Sequence, residues 1–316
     1  MKHDIWTFWL SESIAPIMTF CVHEGFCDLD NSPYKIQQWS PRINQILKDF
    51  IEATSLTESL KHAHDDACIK KVLKTSFRSK WRSHPLCAFL TRLRNKPDIE
   101  PSEYWEQYIS NHRSRERMDQ MFSIQRSILT PWILSLPCWT PCQHLLDLGG
   151  GSGVLAKSIL ENTPVETADV IDQIYRSKRD AKEHQLKTVK FHCHDIFTPF
   201  YKHTSKQKKT LLLSNILHLF PNQLTQLFSA LSCFLGSEDQ IVIIDNFSPP
   251  ENTLITALYQ LQHIPTGGQL VTMKQLRLAL APFNLTIQTN NSYPHGPLGY
   301  KALRIIKKPS KKQPSS

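Results

Sequence analysis

The stretch that decides the fold is Leu145-Leu146-Asp147-Leu148-Gly149-Gly150-Gly151-Ser152-Gly153. Its apolar beginning predicts a short buried strand, and the residues after it favour a helix from Val154 to about Leu160. The chain holds only 10 glycines, and four of them lie within positions 149–153. A chain that uses glycine sparingly and then clusters it places backbone where a side chain would collide. Strand, glycine turn and helix together indicate the ligand-binding turn of a doubly wound α/β fold.

Downstream of this turn, apolar strand segments alternate with a helical segment. Strands are predicted at 167–171, 189–193, 211–217 and 240–244, and a helix near 222–234. Such alternation predicts a mostly parallel sheet with helices on both faces. Near the end, 285–288 and 300–306 flank a loop rich in Pro, Gly and Asn. This arrangement predicts an antiparallel pair that closes the sheet.

The residues upstream of the turn have a different pattern, with helical periodicity and few strand signals. We therefore expect a helical domain over residues 1–100. A second domain is expected over 101–306, and it begins with a helical linker over 101–140 that Pro137 and Pro141 close. The Lys/Pro/Ser-rich segment 307–316 is expected to be a disordered basic tail.

Charge and cysteine content limit the classes of function. The net charge is +9, but eight lysines in the loop 202–209 and the tail nearly account for it, and no aromatic residues interleave with the tail. This distribution argues against nucleic acid as a partner. The eight cysteines are irregularly spaced and no pair is placed to complete a zinc site, so we expect no metal and a cytoplasmic location. No segment has the ~18 uncharged apolar residues of a membrane span, so no membrane partner is expected.

Two classes of ligand suit a glycine turn at this position. The segment 151–156 fits the dinucleotide pattern, and Asp172 lies 19 residues after Gly153, where a ribose-binding acid is found. Asp147 favours the other class. A carboxylate two residues before the first glycine would repel a pyrophosphate, whereas S-adenosyl-L-methionine carries an ammonium and a sulfonium. The pattern therefore favours this methyl donor over a nicotinamide cofactor.

The same reasoning extends the cofactor site along the predicted sheet edge. Asp172 follows the second strand and is the candidate for the ribose hydroxyls, with Asp169 as a rival in mid-strand. Asp195 follows the third strand, where it could accept from the adenine amino group while Ile196 lies against the ring. The candidates that bind the cofactor are Asp147, Gly149, Gly151, Asp172, Asp195, Ile196 and Ser214.

Methyl transfer to a hydroxyl requires alignment of the acceptor and removal of its proton. His218 follows the apolar strand predicted at 211–217, at the edge where ligands bind in such sheets. An imidazole there could act as the base, or it could be a capping or packing histidine. Asp245 ends the next predicted strand, where it could orient the imidazole or cap a turn.

Together these stretches resemble the dimeric small-molecule O-methyltransferases of plants and bacteria, which include caffeic-acid-type, acetylserotonin-type and polyketide-tailoring enzymes. The matching stretches are 104–106, 118–122, 146–153, Asp172, 194–197, 212–221, 241–245 and 267–280. The resemblance implies a Rossmann-like class I methyltransferase sheet behind a winged-helix-like N-terminal domain that forms a homodimer. It implies His218 as the base and Asp245 as a flanking acid. It also implies a small aromatic or hydrophobic acceptor in a pocket lined by Met121, Phe122 and His263.

The chain departs from that family at four positions. Leu219 and Phe220 follow His218, where the family usually has Asp and Trp. Leu270 stands where a second flanking acid is expected, and Ser214 stands where Lys or Arg is common. Two alternatives to a small-molecule enzyme therefore stay open: a methyltransferase acting on RNA or protein, and an inactive dimeric protein that binds S-adenosylmethionine. Against nucleic acid, the strand with Ser214 lacks the Asn-Pro-Pro-Tyr type motif that holds a flipped base.

Overall fold

The computed structural model describes residues 127–139, 142–173, 189–197, 208–248, 269–293 and 299–308. The chain divides into two compact units, and almost all of the described residues lie in the second unit, which comprises Leu129–Ser248, Leu270–Pro294 and Gly299–Ser316. The predicted domain over 1–100 and most of the predicted linker lie outside the described residues. Their boundaries stay predictions.

One sheet of eight strands organises the described unit. The strands are β1 (His144–Leu148), β2 (Thr167–Asp172), β3 (Val189–Cys193), β4 (Lys209–Ser214), β5 (Gln240–Ser248), β6 (Val271–Thr272), β7 (Leu285–Ser292) and β8 (Gly299–Lys307). Their order is β3-β2-β1-β4-β5-β8-β7, and β6 pairs with β5 off this path. The pairs among β1 to β6 are parallel, whereas β8 pairs antiparallel with both β5 and β7. The predicted sheet, mostly parallel with an antiparallel close, is confirmed.

The register aligns the carboxyl ends of the central strands. Leu148 of β1 pairs with Ile171 of β2 and with Leu213 of β4. From β1 the chain moves outward to β2 and β3 on one side, and from β4 to β5 on the other. The point between β1 and β4 is therefore the switch point of the sheet, where ligands bind in doubly wound folds. The glycine turn follows β1 directly at this point.

Three helices lie fully within the described residues: α1 (Val154–Asn162), α2 (Leu224–Ser232) and α3 (Met273–Leu280). The apolar faces of α2 and α3 join alternate residues of β1, β4, β5 and β8 in one buried cluster. The helix α1 contacts β2 and buries Ala156 and Ile159, which are not members of that cluster. Right-handed crossovers that leave the switch point in opposite directions place α1 and α2 on opposite faces of the sheet.

Two strand ends differ from the sequence prediction. Strand β4 ends at Ser214 instead of continuing to residue 217, because Asn215 takes a left-handed conformation with φ of 54°. The next residues, Leu217–Leu219, form one turn of 3-10 helix, so His218 lies in that turn and not at a strand end. Strand β5 continues to Ser248 because β8 and β6 pair with its last residues, so Asp245 lies within the strand.

Two lysines of the predicted basic loop belong to ordered structure instead. Lys209 begins β4, and its Nζ lies 2.7 Å from Asp239 Oδ2. The Nζ of Lys208 lies 2.7 Å from Glu238 Oε2. At the chain end, Lys307 is the last residue of β8, and the Lys308 N–H donates to the Asn284 carbonyl at 2.9 Å. The ordered strand therefore continues into the segment predicted as a tail, and 309–316 lie outside the described residues.

The cysteines that the structure describes are free thiols: Cys138, Cys142, Cys193 and Cys233. Burial raises the pKa of Cys138 to about 12 and also raises the pKa of Cys142. Such thiols stay protonated and unreactive at neutral pH. Within the described ranges, no group of three or more His, Cys, Asp or Glu side chains is placed to hold a metal ion. No helix in the described part of the chain is long and apolar enough to cross a membrane.

Candidate functional site

The glycine turn is held to the sheet by its own backbone. The Gly149 N–H donates to the Ile171 carbonyl at 2.7 Å, and the Gly153 N–H donates to the Gly150 carbonyl at 2.9 Å. Gly151 has φ of 55°, and a Cβ added to it would meet no heavy atom within 4 Å. The turn is therefore open above Gly151, where a ligand could approach the backbone closely.

Gly150 is required for a different reason. A Cβ at this position would lie 2.5 Å from the carboxylate carbon of Asp147 and 2.9 Å from a methyl group of Val170. Neither neighbour can withdraw, because Asp147 and Val170 are both buried in paired strands. The missing side chain of Gly150 thus makes the space in which the Asp147 carboxylate lies beneath the turn.

The Asp147 carboxylate is the most unusual group of the site. The residue is 1% exposed, and neither carboxylate oxygen has a hydrogen-bond partner among the residues that the structure describes. Burial, and then the charge of Asp172, raise the pKa of Asp147 to about 7. Proteins rarely leave a buried carboxylate without partners, and they do so at sites that bind or react. This carboxylate fits a cofactor that brings a positive charge, such as the ammonium of S-adenosylmethionine.

Asp172 is brought to the glycine turn, as expected of the ribose-binding candidate. Its Oδ2 accepts from the Gly151 N–H at 2.9 Å. The rival, Asp169, lies away from the turn between two histidines. Its Oδ2 is 2.9 Å from His144 Nε2, and its Oδ1 is 2.7 Å from His192 Nε2. Asp169 therefore links β1, β2 and β3 across the sheet, and Asp172 is the acid that contacts the glycine turn.

Asp195 and Ile196 lie just beyond β3 on the same edge. Cys193, the last residue of β3, pairs in register with Asp172. The Asp195 Oδ1 accepts from the Phe197 N–H at 3.0 Å, which fixes a tight turn, and Ile196 is buried in the core cluster. Phe197 also meets Phe220 edge to face, with ring centroids 5.0 Å apart. This unpredicted contact joins the loop after β3 to the loop after β4.

The structure brings His218 and Asp245 together, as the sequence suggested. His218 Nδ1 lies 3.7 Å from Asp245 Oδ1, and Asp245 is 1% exposed. The Asp245 carboxylate is fixed by two backbone donors, since Oδ2 accepts from the Leu217 N–H and Oδ1 from the Asn246 N–H, each at 2.8 Å. A fixed anion beside an imidazole stabilises the imidazolium that forms when the ring takes up a proton.

The remaining residues of the predicted site make few contacts there or lie outside the described residues. Ser214 ends β4, and its hydroxyl is 3.4 Å from Asn215 Nδ2. Leu270 is buried, so the position of the expected second acid is apolar. Met121, Phe122 and His263 lie outside the described residues. The predicted acceptor pocket therefore stays a prediction.

Sequence reasoning missed Asn215 and Tyr300. The Tyr300 hydroxyl donates to Asn215 Oδ1, a hydrogen bond between residues 85 positions apart. An asparagine directly after a strand was a visible signal, because Asn tolerates the left-handed conformation better than most residues. Nothing in the sequence linked it to Tyr300, because that contact depends on β8 returning beside β5.

No family model and no curated protein matches this chain. Solved structures do match it. An O-methyltransferase family 2 protein from Planctomyces limnophilus is 18% identical, with 97% of each chain covered and a TM-score of 0.56. Human N-acetylserotonin methyltransferase is 16% identical, with 93% of this chain and 94% of that chain covered and a TM-score of 0.56. The mitomycin 7-O-methyltransferase is 13% identical, with the same coverage and TM-score. This chain has the fold of these methyltransferases.

At 13–18% sequence identity, the similarity to these solved structures establishes the methyltransferase fold, and the activity depends on the residues of the site. The fold class predicted from the glycine turn and the alternating strands is thereby confirmed. In this methyltransferase fold, the buried acid, the turn and Asp172 all lie at the switch point, and the His218–Asp245 pair lies on the adjacent strands β4 and β5 and their connection.

Proposed function

We propose that this protein is an S-adenosylmethionine-dependent methyltransferase that acts on a hydroxyl group of a small aromatic or hydrophobic acceptor. The observation that carries the proposal is the buried Asp147 carboxylate without a hydrogen-bond partner beneath the glycine turn. A cofactor bound through phosphate would meet repulsion from this anion, whereas a cationic amino acid moiety would be attracted to it.

The residues at the sheet edge have distinct tasks in this proposal. Asp147 would attract the ammonium of the cofactor by its charge, and the open backbone at Gly151 would let the cofactor approach. Gly149, where a Cβ would lie 2.9 Å from a methyl group of Ile216, would keep the turn close to the sheet. Asp172 would hold the ribose hydroxyls, because its carboxylate is already oriented by the Gly151 N–H. Asp195, Ile196 and Ser214 complete the proposed cofactor site. When bound, S-adenosyl-L-methionine supplies a methyl group on a sulfonium, which is a good leaving group.

His218 would remove the proton of the acceptor hydroxyl, and Asp245 would stabilise the resulting imidazolium. The support is geometric: the imidazole lies 3.7 Å from a carboxylate that two backbone N–H groups hold in place. The acceptor class is supported by the fold neighbours, since one was solved with apigenin and another is an N-acetylserotonin methyltransferase. Phe220 and Phe197 beside the His218 turn offer aromatic surface of the kind that such acceptors contact.

We further propose that a helical domain over 1–100 forms a homodimer and that 101–306 form the catalytic domain. Met121, Phe122 and His263 are proposed to line the acceptor pocket. A cytoplasmic location is proposed as well, since the described cysteines are all free, as is usual in a reducing compartment.

Two positions favour a second candidate function, an S-adenosylmethionine-binding protein without catalysis. Leu219 follows His218 where related enzymes have an acid, and Leu270 is buried where a second acid is expected. Asp245 is a fixed acid beside the His218 imidazole, and the position at which the related family has a second acid is apolar. A measurement of turnover decides between the two candidates.

The test begins with calorimetric titration of S-adenosylmethionine into the wild-type protein and the Asp172→Ala variant. We expect binding to the wild type and an affinity lower by about tenfold or more in the variant, because a charge-assisted hydrogen bond is lost. Glu166→Gln, at an exposed carboxylate far from the turn in sequence, serves as the control and should bind like the wild type. Failure of the wild type to bind would refute the proposal.

Methyl transfer is then measured with a panel of phenolic acceptors. Transfer to a phenol supports the enzyme, and binding without any transfer supports the second candidate. Binding with labelling of RNA or protein, and no transfer to phenols, would replace the proposed acceptor class.

A further inference from the structure

We propose that Tyr300 is a positioning residue that acts through Asn215 to hold the turn carrying His218 in place. The inference rests on the proposed function, because His218 has a chemical task only in that proposal. It concerns residues to which the resemblance assigns no role. Asn215 has an unusual backbone conformation at the end of β4, and a hydrogen bond from Tyr300 of β8 reaches its side chain.

Asn215 adopts a conformation that needs support from its surroundings. Its φ of 54° places a residue with a side chain in the left-handed region, which is uncommon and persists where other contacts demand it. Its N–H donates to the Ile244 carbonyl at 2.9 Å, so β5 fixes the backbone here. This conformation redirects the chain from β4 into Leu217–Leu219, the turn that carries His218.

Tyr300 holds the side chain of the same residue. Tyr300 is 1% exposed, and its hydroxyl donates to Asn215 Oδ1. Tyr300 pairs in register with Asn246 of β5, so its side chain reaches from β8 past β5 to the end of β4. A buried tyrosine is confined to few orientations, and its hydroxyl fixes where the Asn215 amide lies.

Besides the backbone bond from Asn215 to Ile244, two side chains attach the turn that carries His218, one on either side of Ile216. Tyr300 holds Asn215, and the Asp245 carboxylate holds the Leu217 N–H at 2.8 Å. His218 follows the second attachment directly, and its distance of 3.7 Å from Asp245 depends on both. Removing the Tyr300 hydroxyl releases the Asn215 side chain and leaves its backbone bond to Ile244 in place. The less constrained turn can then shift about the Leu217 attachment, which moves the imidazole relative to Asp245.

Three variants test this positioning role. Tyr300→Phe removes the hydroxyl and keeps the ring. Asn215→Gly removes the amide but readily adopts positive φ, so it separates the hydrogen bond from the backbone requirement. Asn284→Gly is the matched control, because Asn284 also has positive φ, at 57°, but lies at the turn before β7.

The first readout is amide hydrogen exchange of the protein without added ligand. We expect exchange in 215–219 to be about tenfold faster in Tyr300→Phe and Asn215→Gly, with exchange in the glycine turn and in α1 unchanged. The second is the imidazole NMR signal of His218, assigned by its loss in His218→Gln. It should shift in both variants and stay unchanged in Asn284→Gly.

The third readout is function. The affinity for S-adenosylmethionine should stay within about twofold of wild type in both variants, while kcat for a phenolic acceptor falls about tenfold. Unchanged exchange in 215–219 and an unchanged His218 signal in Tyr300→Phe would overturn the positioning role, even if the wild type binds the cofactor. Should Tyr300→Phe fail to fold, Asn215→Gly decides by the same measurements. A wild type that binds no cofactor would instead refute the proposed function, and the two failures are thus distinct.

Discussion

Replacing Asp147 by asparagine keeps the shape of the side chain and removes its charge. In the wild type, burial and the nearby Asp172 raise the pKa of Asp147 from an ordinary value of 3.8 to about 7. The folded protein therefore binds this proton more tightly than the unfolded chain does. Because the folded state holds more protons between about pH 4 and pH 7, the free energy of unfolding falls as pH rises through that range.

The size of the effect follows from the two pKa values. One pKa unit corresponds to about 1.4 kcal/mol. At pH 8 the carboxylate is ionised in both states, and the folded wild type is destabilised by about 4 kcal/mol. At pH 5 the folded state keeps its proton, and the penalty is about 1.6 kcal/mol. The uncharged Asp147→Asn variant has no such penalty, so its stability relative to wild type should increase by about 2.5 kcal/mol from pH 5 to pH 8.

The assay is guanidinium unfolding of the protein without cofactor, followed by circular dichroism at pH 5, 6, 7 and 8. The change with pH is the decisive quantity, because a buried amide group adds a cost of its own that is the same at every pH. Glu166→Gln, which alters an exposed carboxylate, should follow the wild type throughout. A difference between Asp147→Asn and wild type that stays constant from pH 5 to pH 8 would refute the reasoning. The same variant should also bind S-adenosylmethionine at least about tenfold more weakly.

Two further predictions concern the same edge of the sheet. Gly150→Ala should lower the free energy of unfolding by about 1–3 kcal/mol, measured by denaturant titration, because the new Cβ would lie 2.5 Å from the Asp147 carboxylate; equal stability of variant and wild type would contradict the packing described. His218→Ala should lower kcat for a phenolic acceptor by about 10²-fold or more and leave the calorimetric affinity for the cofactor unchanged. An unchanged rate would make His218 a structural residue.

The parts of the fold that follow from local pattern were predictable from the sequence. The glycine turn and the strands β1, β2 and β3 lie where periodicity and composition predicted them. Each of these elements depends on residues that are close in sequence, so the local sequence pattern is enough to predict it. The candidate Asp172 was chosen for a related reason, since the carboxyl ends of parallel strands meet at one edge of the sheet. Asp245 was chosen on the same ground, although β5 continues beyond it to Ser248.

The parts that depend on contacts between distant residues were not predictable in this way. The apolar run 211–217 reads as one strand, but Asn215 ends it, and that ending relies on β5 and Tyr300. Asp169 looked like a rival of Asp172, and its true partners, His144 and His192, lie on two other strands. Hydrogen bonds between residues that are distant in sequence produce no periodic pattern in the sequence, because each partner by itself looks like an ordinary polar residue.

The link from His144 through Asp169 to His192 has a consequence for the register of β3 and for the positions of the acids at the sheet edge. Strand β3 lies at the edge of the sheet, and its residues are only partly buried, so burial alone does little to choose its register. The Asp169 carboxylate fixes the register of β3 instead, because a slip of β3 by one residue would turn His192 to the opposite face of the sheet and away from Asp169. A slip by two residues would move the end of β3 by about 6.6 Å along the strand direction. The contacts of Asp169 with His144 and His192 therefore set the spacing between Asp172 and Asp195, the two acids proposed to hold the ribose and the adenine of the cofactor.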